Sequence, residues 1–235
     1  MDFINRGIAS CFLGAFFLVV SLLAAGPVTA QTFKGKHAEV RLGLDLLGAD
    51  LWEELKIDDG YYRMAGSRRL KLADGGFNYG AGLGYDFALS ERVVAGVEAT
   101  IDFSTAKNCL YGFYLWNDLC LKAGRDIGVG VRAGVIIVPR VLLFAKLGYA
   151  NGRVKVTGWD AMQGRSYSQA KTRGGTRYGG GLEVPVSDLI FLKAEYTYTD
   201  YSKWGAHFKD GNIYIHDARL GFDRHKTLLS VGARF

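Results

Sequence analysis

Charged residues recur among glycines along this sequence, and their types suit the formation of ion pairs. The set contains four acids and four bases: Glu98, Asp102, Arg132, Lys146, Glu183, Lys193, Glu195 and Arg234. Such charges are tolerated away from water only when they are paired or hydrated. If one fold brings them together, two arrangements remain open. One is an internal salt-bridge network that fixes shape, and the other is a narrow polar conduit for water and small ions.

Two cysteines, Cys109 and Cys120, lie close together in one predicted loop. In an exported chain an even pair of cysteines favours a disulfide. Two free thiols or a metal-binding pair are the alternatives, and the lack of a histidine near either cysteine disfavours zinc.

Hydrolytic chemistry would need a serine, a histidine and an acid within hydrogen-bonding reach. The candidates lie in or near the last predicted loop: Ser202, His207, His216, Asp217 and His225. Their spacing matches no hydrolase motif, and the sequence has no P-loop, H-E-x-x-H or EF-hand pattern. We therefore assign no catalytic residue, metal site or cofactor. A lipid A-modifying enzyme, and heme ligation by these histidines with Tyr214, stay as alternatives.

The charged residues belong to segments in which apolar and polar residues alternate with a period of two. In one of them, Val97 and Ile101 share a face, while Glu98 and Asp102 share the other. A β-strand places alternate residues on opposite faces. The pattern predicts eight strands, in the segments 39–46, 77–89, 93–103, 126–137, 141–149, 177–186, 190–199 and 226–235.

The connections between these strands alternate in length. Three are tight turns, at Ser90–Arg92, Pro139–Arg140 and Ser187–Asp188. Four are long predicted loops, at residues 48–74, 105–124, 157–175 and 202–223. Short periplasmic turns and long outer loops are typical of bacterial outer-membrane barrels. We predict an all-β fold, an eight-stranded antiparallel up-and-down transmembrane β-barrel with four long extracellular loops.

The apolar strand face is predicted to meet lipid. It carries no charge in the central stretches of the clearest strands, and aromatic residues such as Tyr79, Tyr149 and Phe87 collect at the strand ends as interfacial girdles. The opposite face is rich in glycine and charge, which suits a narrow lumen that side chains just fill. A soluble lipocalin-type barrel, with its apolar face inside, is the alternative.

The N-terminus reads as a secretory signal peptide. Arg6 precedes an apolar run from Ile8 to Ala25, and small residues at 28–30 predict cleavage after Ala30. We therefore expect a signal peptide at residues 1–30 and a barrel domain at residues 31–235. A retained single-pass anchor is the alternative. The net charge is +6. Because we expect the chain to be exported, anionic lipid or acidic glycans are the expected partners of this charge, and nucleic acid is not.

Four stretches carry a resemblance to a known family: residues 79–104, 142–154, 179–202 and 228–235. They include the segments GVEAT and KAEYTYTDY and a terminal LLSVGARF. The sequence resembles the small outer-membrane β-barrels that include OmpA, OmpX and the opacity proteins, and most closely the alphaproteobacterial outer-membrane immunogenic and porin-family proteins. The resemblance implies an envelope-maintaining surface protein without a shared catalytic site. It also implies that Phe235 is the signal read by the barrel assembly machinery.

We expect a structural or surface-interaction barrel, monomeric and located in the cell outer membrane. Its loop cations suit contact with lipopolysaccharide phosphates: Lys56, Arg63, Arg68, Arg69, Lys71, Lys155, Arg165, Lys171 and Arg173. Host molecules are a second class of loop partner. A narrow porin-like channel is the main alternative function, although open aqueous pores generally need about 16 strands.

Overall fold

The computed structural model describes residues 30–58, 63–111, 118–160, 165–210 and 214–235. Residues 1–29 of the predicted signal peptide lie outside this part of the chain. A short 3₁₀ turn at Ala30–Phe33 precedes the strands. The strands are β1 (Gly35–Asp58), β2 (Arg63–Ala88), β3 (Val93–Ser104), β4 (Lys107–Tyr111), β5 (Asp118–Val138), β6 (Val141–Asp160), β7 (Arg165–Pro185), β8 (Ile190–Tyr201), β9 (Trp204–Asp210) and β10 (Tyr214–Arg234).

The sheet closes on itself, because β1 pairs with β10 as well as with β2. All pairs are antiparallel, and Val40 of β1 lies opposite Val231 of β10 and Ala81 of β2. β4 continues the course of β3 along β5, and β9 continues that of β8 along β10. The ring therefore has eight positions, which confirms the predicted eight-stranded barrel. Closure pairs backbone groups that lipid cannot satisfy.

The strands extend well beyond the predicted segments. β1 continues to Asp58 and β2 starts at Arg63, so most of the predicted loop at 48–74 is a paired hairpin. The residues at the four outer tips, 59–62, 112–117, 161–164 and 211–213, lie outside the described residues. The outer connections are thus largely extended sheet in the residues that can be described.

The strands continue above the membrane because the alternation of apolar and polar residues continues there, with the apolar residues on the inner face. On β6, Leu147 and Tyr149 face outward, whereas Val154 and Val156 face inward and are buried. Above the membrane the outer surface meets water, so burial of apolar side chains requires the inner face. The predicted segment ends at Tyr149 because polar residues follow it, but these residues mark the change of solvent, and β6 continues to Asp160.

The outer face of the ring is apolar across the membrane. Val97, Val131 and Leu229 expose 48%, 56% and 54% of their surfaces. The inner face carries buried charges, which is the reverse of a soluble lipocalin-type barrel. No helix in the described ranges is long and apolar enough to cross a membrane.

The inner ends of the strands are joined by the three predicted tight turns. Ser187 Oγ accepts hydrogen bonds from the backbone N–H groups of Leu189 and Ile190, and Ser90 makes equivalent contacts in the first turn. Before β1, Gly35 takes a φ of 120°, a backbone conformation that glycine adopts at little cost. This residue redirects the chain from the 3₁₀ turn beneath the barrel into its wall.

Candidate functional site: the charged lumen

The periplasmic layer of the lumen is a ring of two arginines and two acids. Arg132 Nε donates to Asp86 Oδ1 at 2.8 Å, and Arg132 Nη1 donates to Glu183 Oε2 at 2.8 Å. Arg234 makes the same two partnerships, with Asp86 Oδ2 at 2.8 Å and Glu183 Oε1 at 2.5 Å. Each arginine therefore joins both carboxylates. His37 Nδ1 lies 3.2 Å from Asp86 Oδ2 and completes the layer.

The middle layer combines three acids and three bases: Glu39, Arg41, Glu98, Lys146, Lys193 and Glu195. Lys146 Nζ donates to Glu98 Oε1 at 2.6 Å and to Glu195 at 3.0 Å. Lys193 Nζ donates to Glu39 Oε1 at 2.7 Å. These lysines join residues from four different strands across the ring, so the layer links opposite walls of the barrel.

The upper layer continues the same arrangement towards the outer end. Lys226 Nζ donates to Asp102 Oδ2 at 2.9 Å and also pairs with Asp126. Arg224 Nε donates to Asp45 Oδ2 at 3.0 Å. Arg41 connects this layer to the middle one, because its Nε lies 3.8 Å from Asp102 Oδ1 and its guanidinium also pairs with Glu195.

The structure places all eight predicted lumen charges in these three layers of ion pairs, which we call the charge network. The network also includes charges absent from that set: His37, Glu39, Arg41, Asp45, Asp86, Asp126, Arg177, Arg224 and Lys226. The signal for them was the strand alternation itself, since each lies on the same face as a predicted lumen charge. Apart from His37, acids and bases are equal in number among the described lumen residues.

Apolar side chains close the lumen above the charges. They come from five strands and a connection: Leu47, Ala49, Ala106, Leu121, Ala123, Ala150, Val154, Val156, Tyr201, Leu220 and Phe222. The rings of Tyr201 and Phe222 stack with their centroids 4.3 Å apart. A register shift between Ala123 and Asp126 turns Leu121 inward, so β5 also contributes. We refer to this cluster as the upper closure.

A second apolar cluster closes the periplasmic end. Phe33, from the 3₁₀ turn, packs with Val94, Ile136 and Leu142. The Phe33 carbonyl accepts a hydrogen bond from Arg234, which fixes the turn beneath the charge network. We refer to this cluster as the lower closure.

Little free space remains between the two closures. The cavity beside the middle layer has a volume of about 10 Å³ and is lined by Glu98, Thr100, Lys146 and Arg177, among others. That volume is about the size of one water molecule. The lumen is therefore a packed polar core.

Comparison with known proteins identifies the family to which this architecture belongs. The family model described as the outer membrane protein beta-barrel domain matches residues 15–235. The chain belongs to this family. Accordingly it is an outer-membrane β-barrel, and the alternating faces, girdles and closed ring described above are the means by which it crosses that membrane.

The curated relatives of this outer-membrane β-barrel are themselves outer-membrane proteins. The 31 kDa outer-membrane immunogenic protein of Brucella melitensis is 28% identical over 169 residues, which cover 67% of this chain and 69% of that protein. The 22 kDa outer membrane protein of Rhizobium leguminosarum is 27% identical over 187 residues, covering 75% and 78%. Outer membrane protein OprG from Pseudomonas aeruginosa shares the fold, with a TM-score of 0.51 at 13% identity, covering 86% and 97%.

The aromatic residues of the outer-membrane β-barrel lie where its alternation predicted. Tyr79, Tyr149 and Phe87 face outward and are exposed at the two ends of the apolar belt. Phe235 is 71% exposed on the periplasmic rim, and its backbone N–H donates to the Lys36 carbonyl at 2.9 Å. The last residue therefore closes the ring against the first strand.

The residues considered for hydrolysis do not form a serine site in the described structure. His225 Nδ1 lies 2.6 Å from Tyr196 Oη, and His225 Nε2 lies 3.3 Å from Asp223 Oδ1. Neither of these nitrogen contacts is to Ser202, whose backbone N–H donates to Gly174 instead. The side chains of His207, Tyr214, His216 and Asp217 lie outside the described part. Within the described ranges, no group of three or more His, Cys, Asp or Glu side chains is arranged to hold a metal ion.

Cys109 and Cys120 lie directly opposite each other on β4 and β5. Their sulfur atoms are 2.12 Å apart and form a disulfide in the structure. Neither cysteine lies in the lumen: both are on the outward face of the β4–β5 hairpin, on the same face as Lys107 and Lys122.

Proposed function

We propose that this outer-membrane β-barrel has a structural and surface-interaction role, without transport or catalysis. The observation that carries the proposal is the packed lumen. Charges that satisfy one another fill its middle, and apolar side chains close both ends. A channel needs a continuous polar path, and an enzyme needs an accessible reactive group. The charge network instead supports a rigid wall that fixes strand register.

The paired extensions of the strands support the surface-interaction part of the proposal. Because β1 and β2 stay in register as far as Asp58 and Arg63, the outer hairpins present their side chains from ordered sheet. Lipopolysaccharide and host molecules are the partner classes we propose for them. For biogenesis, the exposed terminal Phe235 is the proposed contact for the barrel assembly machinery.

Planar-bilayer conductance of the refolded protein tests the sealed lumen. We expect no stable openings from the wild-type barrel. A variant in which both closures are cut back, Phe222→Ala with Leu121→Ala and Phe33→Ala, shows what an unsealed lumen of this size conducts. Stable wild-type openings that disappear in Arg132→Gln or Glu98→Gln would establish the channel and overturn the proposal.

A deletion strain tests the structural role in the cell. We expect increased sensitivity to detergent and bile salts. The wild-type gene should restore resistance. The gene for the triple closure variant should restore it less well if it destabilises the wall. Lipid A from the same strains should have an unchanged mass spectrum, and a mass difference would support the lipid A-modifying enzyme instead.

A further inference from the structure

Three lysines lie side by side on the outward face above the apolar belt. Lys107 of β4 is directly opposite Lys122 of β5, and Lys122 is directly opposite Lys155 of β6. All three are exposed. Neighbouring strands lie about 4.8 Å apart, so three positive charges share a row only about 10 Å long. We call these three residues the basic row.

Such an arrangement destabilises the sheet if nothing compensates it, since like charges directly opposite on paired strands repel. The row is nevertheless fixed in place by the chain. Two residues farther from the membrane, on the same face, the Cys109–Cys120 disulfide joins the two strands and prevents a change in register. The protein therefore keeps Lys107 and Lys122 together by a covalent link between their strands.

The basic row has no acidic partner within the described residues. None of its three lysines forms a salt bridge there, and neither do the exposed Arg125 and Arg153. Nearer to the membrane, these two arginines extend the positive surface on the same strands. Among the described side chains this face thus carries five positive charges, which suits the binding of an anion.

The opposite side of the ring shows that this lack of partners is local. There Asp50 accepts hydrogen bonds from Arg69, with Nη2 at 2.6 Å, and Lys203 Nζ lies 3.9 Å from the same carboxylate. Asp223 and Asp200 face each other on neighbouring strands. Acids and bases are mixed on that side, whereas the charged outward side chains described on β4, β5 and β6 above the apolar belt are all basic.

The basic residues lie outside the aromatic girdle, on the headgroup side of the membrane. Tyr149 is the last aromatic residue of the apolar belt on β6, and Arg153 and Lys155 follow it by four and six positions. A rise of about 3.3 Å per residue at a tilt near 40° gives roughly 2.5 Å per residue along the membrane normal. Arg153 thus lies about 10 Å and Lys155 about 15 Å above Tyr149. Long basic side chains bridge the remaining distance to the headgroups.

We propose that the basic row, with Arg125 and Arg153, binds the phosphate groups of the outer-leaflet glycolipid. This inference deepens the proposed surface-interaction role and rests on it. It also revises the sequence-based choice of residues. Lys155 belonged to that choice, but Lys171 lies opposite the inward Val154 and so is on the inner face, while Lys107 and Lys122 were not included.

The test uses the full-length mature barrel, refolded into phosphatidylcholine vesicles with or without bis-phosphorylated lipid A. The row variant is Lys107→Gln/Lys122→Gln/Lys155→Gln. The control variant, Lys34→Gln/Lys36→Gln/Lys203→Gln, removes as many positive charges from exposed positions outside the proposed site. Unfolding rates in urea are followed by heat-modifiable gel mobility.

We expect lipid A to slow wild-type and control unfolding by about tenfold or more, since each lysine near an anionic surface contributes several-fold. The row variant, which keeps Arg125 and Arg153, should respond several-fold less than wild type. Without lipid A, the row variant should unfold no faster than wild type, because charge repulsion has been removed. An equal lipid A response in wild type and row variant would overturn the inference.

Further arms identify the source of the phosphate. Dephosphorylated lipid A should give no slowing, and inorganic phosphate added to phosphatidylcholine vesicles should give none either. Slowing by inorganic phosphate equal to that by lipid A, or cross-linked dimers lost only in the row variant, would reject the glycolipid as the occupant. Conductance in the same vesicles tests the sealed lumen separately. An open pore would contradict the proposed function without affecting this inference.

Discussion

Arg132 and Asp86 are joined by two parallel hydrogen bonds between guanidinium and carboxylate, one of them Nε to Oδ1 at 2.8 Å. Both side chains are almost fully buried, and Arg132 extends a third N–H to Glu183. Charge-assisted pairs with this two-pronged geometry are the strong ones among protein hydrogen bonds. The barrel interior is thus held by directional contacts between charges that water does not reach.

The Arg132→Met variant should destabilise the barrel by about 3–5 kcal/mol, because it leaves buried carboxylates short of a partner. Arg132→Lys keeps the charge but loses the planar guanidinium and its two parallel hydrogen bonds, so it should destabilise the barrel less. Urea unfolding in vesicles measures both. Arg92→Met, in an exposed turn, is the matched control and should change little; equal losses for the two methionine variants would contradict a role for the buried network.

The Gly128→Ala variant should be destabilised by about 1–3 kcal/mol through overpacking. A Cβ at this position would lie 2.5 Å from Arg177 Nη1 and 2.9 Å from Thr100 Oγ1, so the guanidinium would have to shift, which weakens its bonds to Thr100 and Asp126. Gly66→Ala is the control, since nothing lies within 4 Å of its added Cβ. Thermal unfolding monitored by gel mobility should separate the two variants, and the idea fails if both behave as wild type.

The cysteine pair should resist alkylation until a reductant is added, as read by mass spectrometry of the purified protein. Reduction, or Cys109→Ser/Cys120→Ser, should increase amide hydrogen exchange in β4 while leaving the exchange of β1 and β10 unchanged. The reason is that the bond joins two directly paired residues of one outer hairpin, so its loss acts locally. Alkylation without a reductant would show free thiols instead.

The Arg69→Ala variant should raise the pKa of Asp50 towards its ordinary value. In the structure the hydrogen bond from Arg69 lowers this pKa. A lowered pKa in the folded state adds stability above the pKa of the unfolded chain, and that stability is lost as the pH falls through the folded value. The contribution is small, because the pair is partly exposed.

NMR titration of the Asp50 carboxyl in micelles measures the effect. Lys203→Ala is the comparison, and its shift should be smaller, since its Nζ lies 3.9 Å from the carboxylate. If Arg69→Ala left the Asp50 titration unchanged, the hydrogen bond would not exist in solution.

The alternation of residues by itself determined the barrel. Val97 and Glu98 must point to opposite faces in any strand. Because one face meets lipid and the other a narrow lumen, Val97 faces the lipid and Glu98 faces the lumen. The count of strands, the tight turns and the lumen position of residues such as Arg132 and Lys146 follow from this local rule, because it depends only on neighbours in the chain.

Only the tertiary structure decided which charges are partners and where the lumen ends. Arg234 reaches Asp86 and Glu183 through the closure of the ring, and no spacing in the sequence encodes a distance across it. The upper closure depends on a register shift in β5. It also depends on the apolar residues facing inward above the membrane, whereas within the membrane they face outward. The basic row likewise exists only because three strands are paired in one register. Contacts between distant segments are set by ring closure, and that is a property of all the strands together.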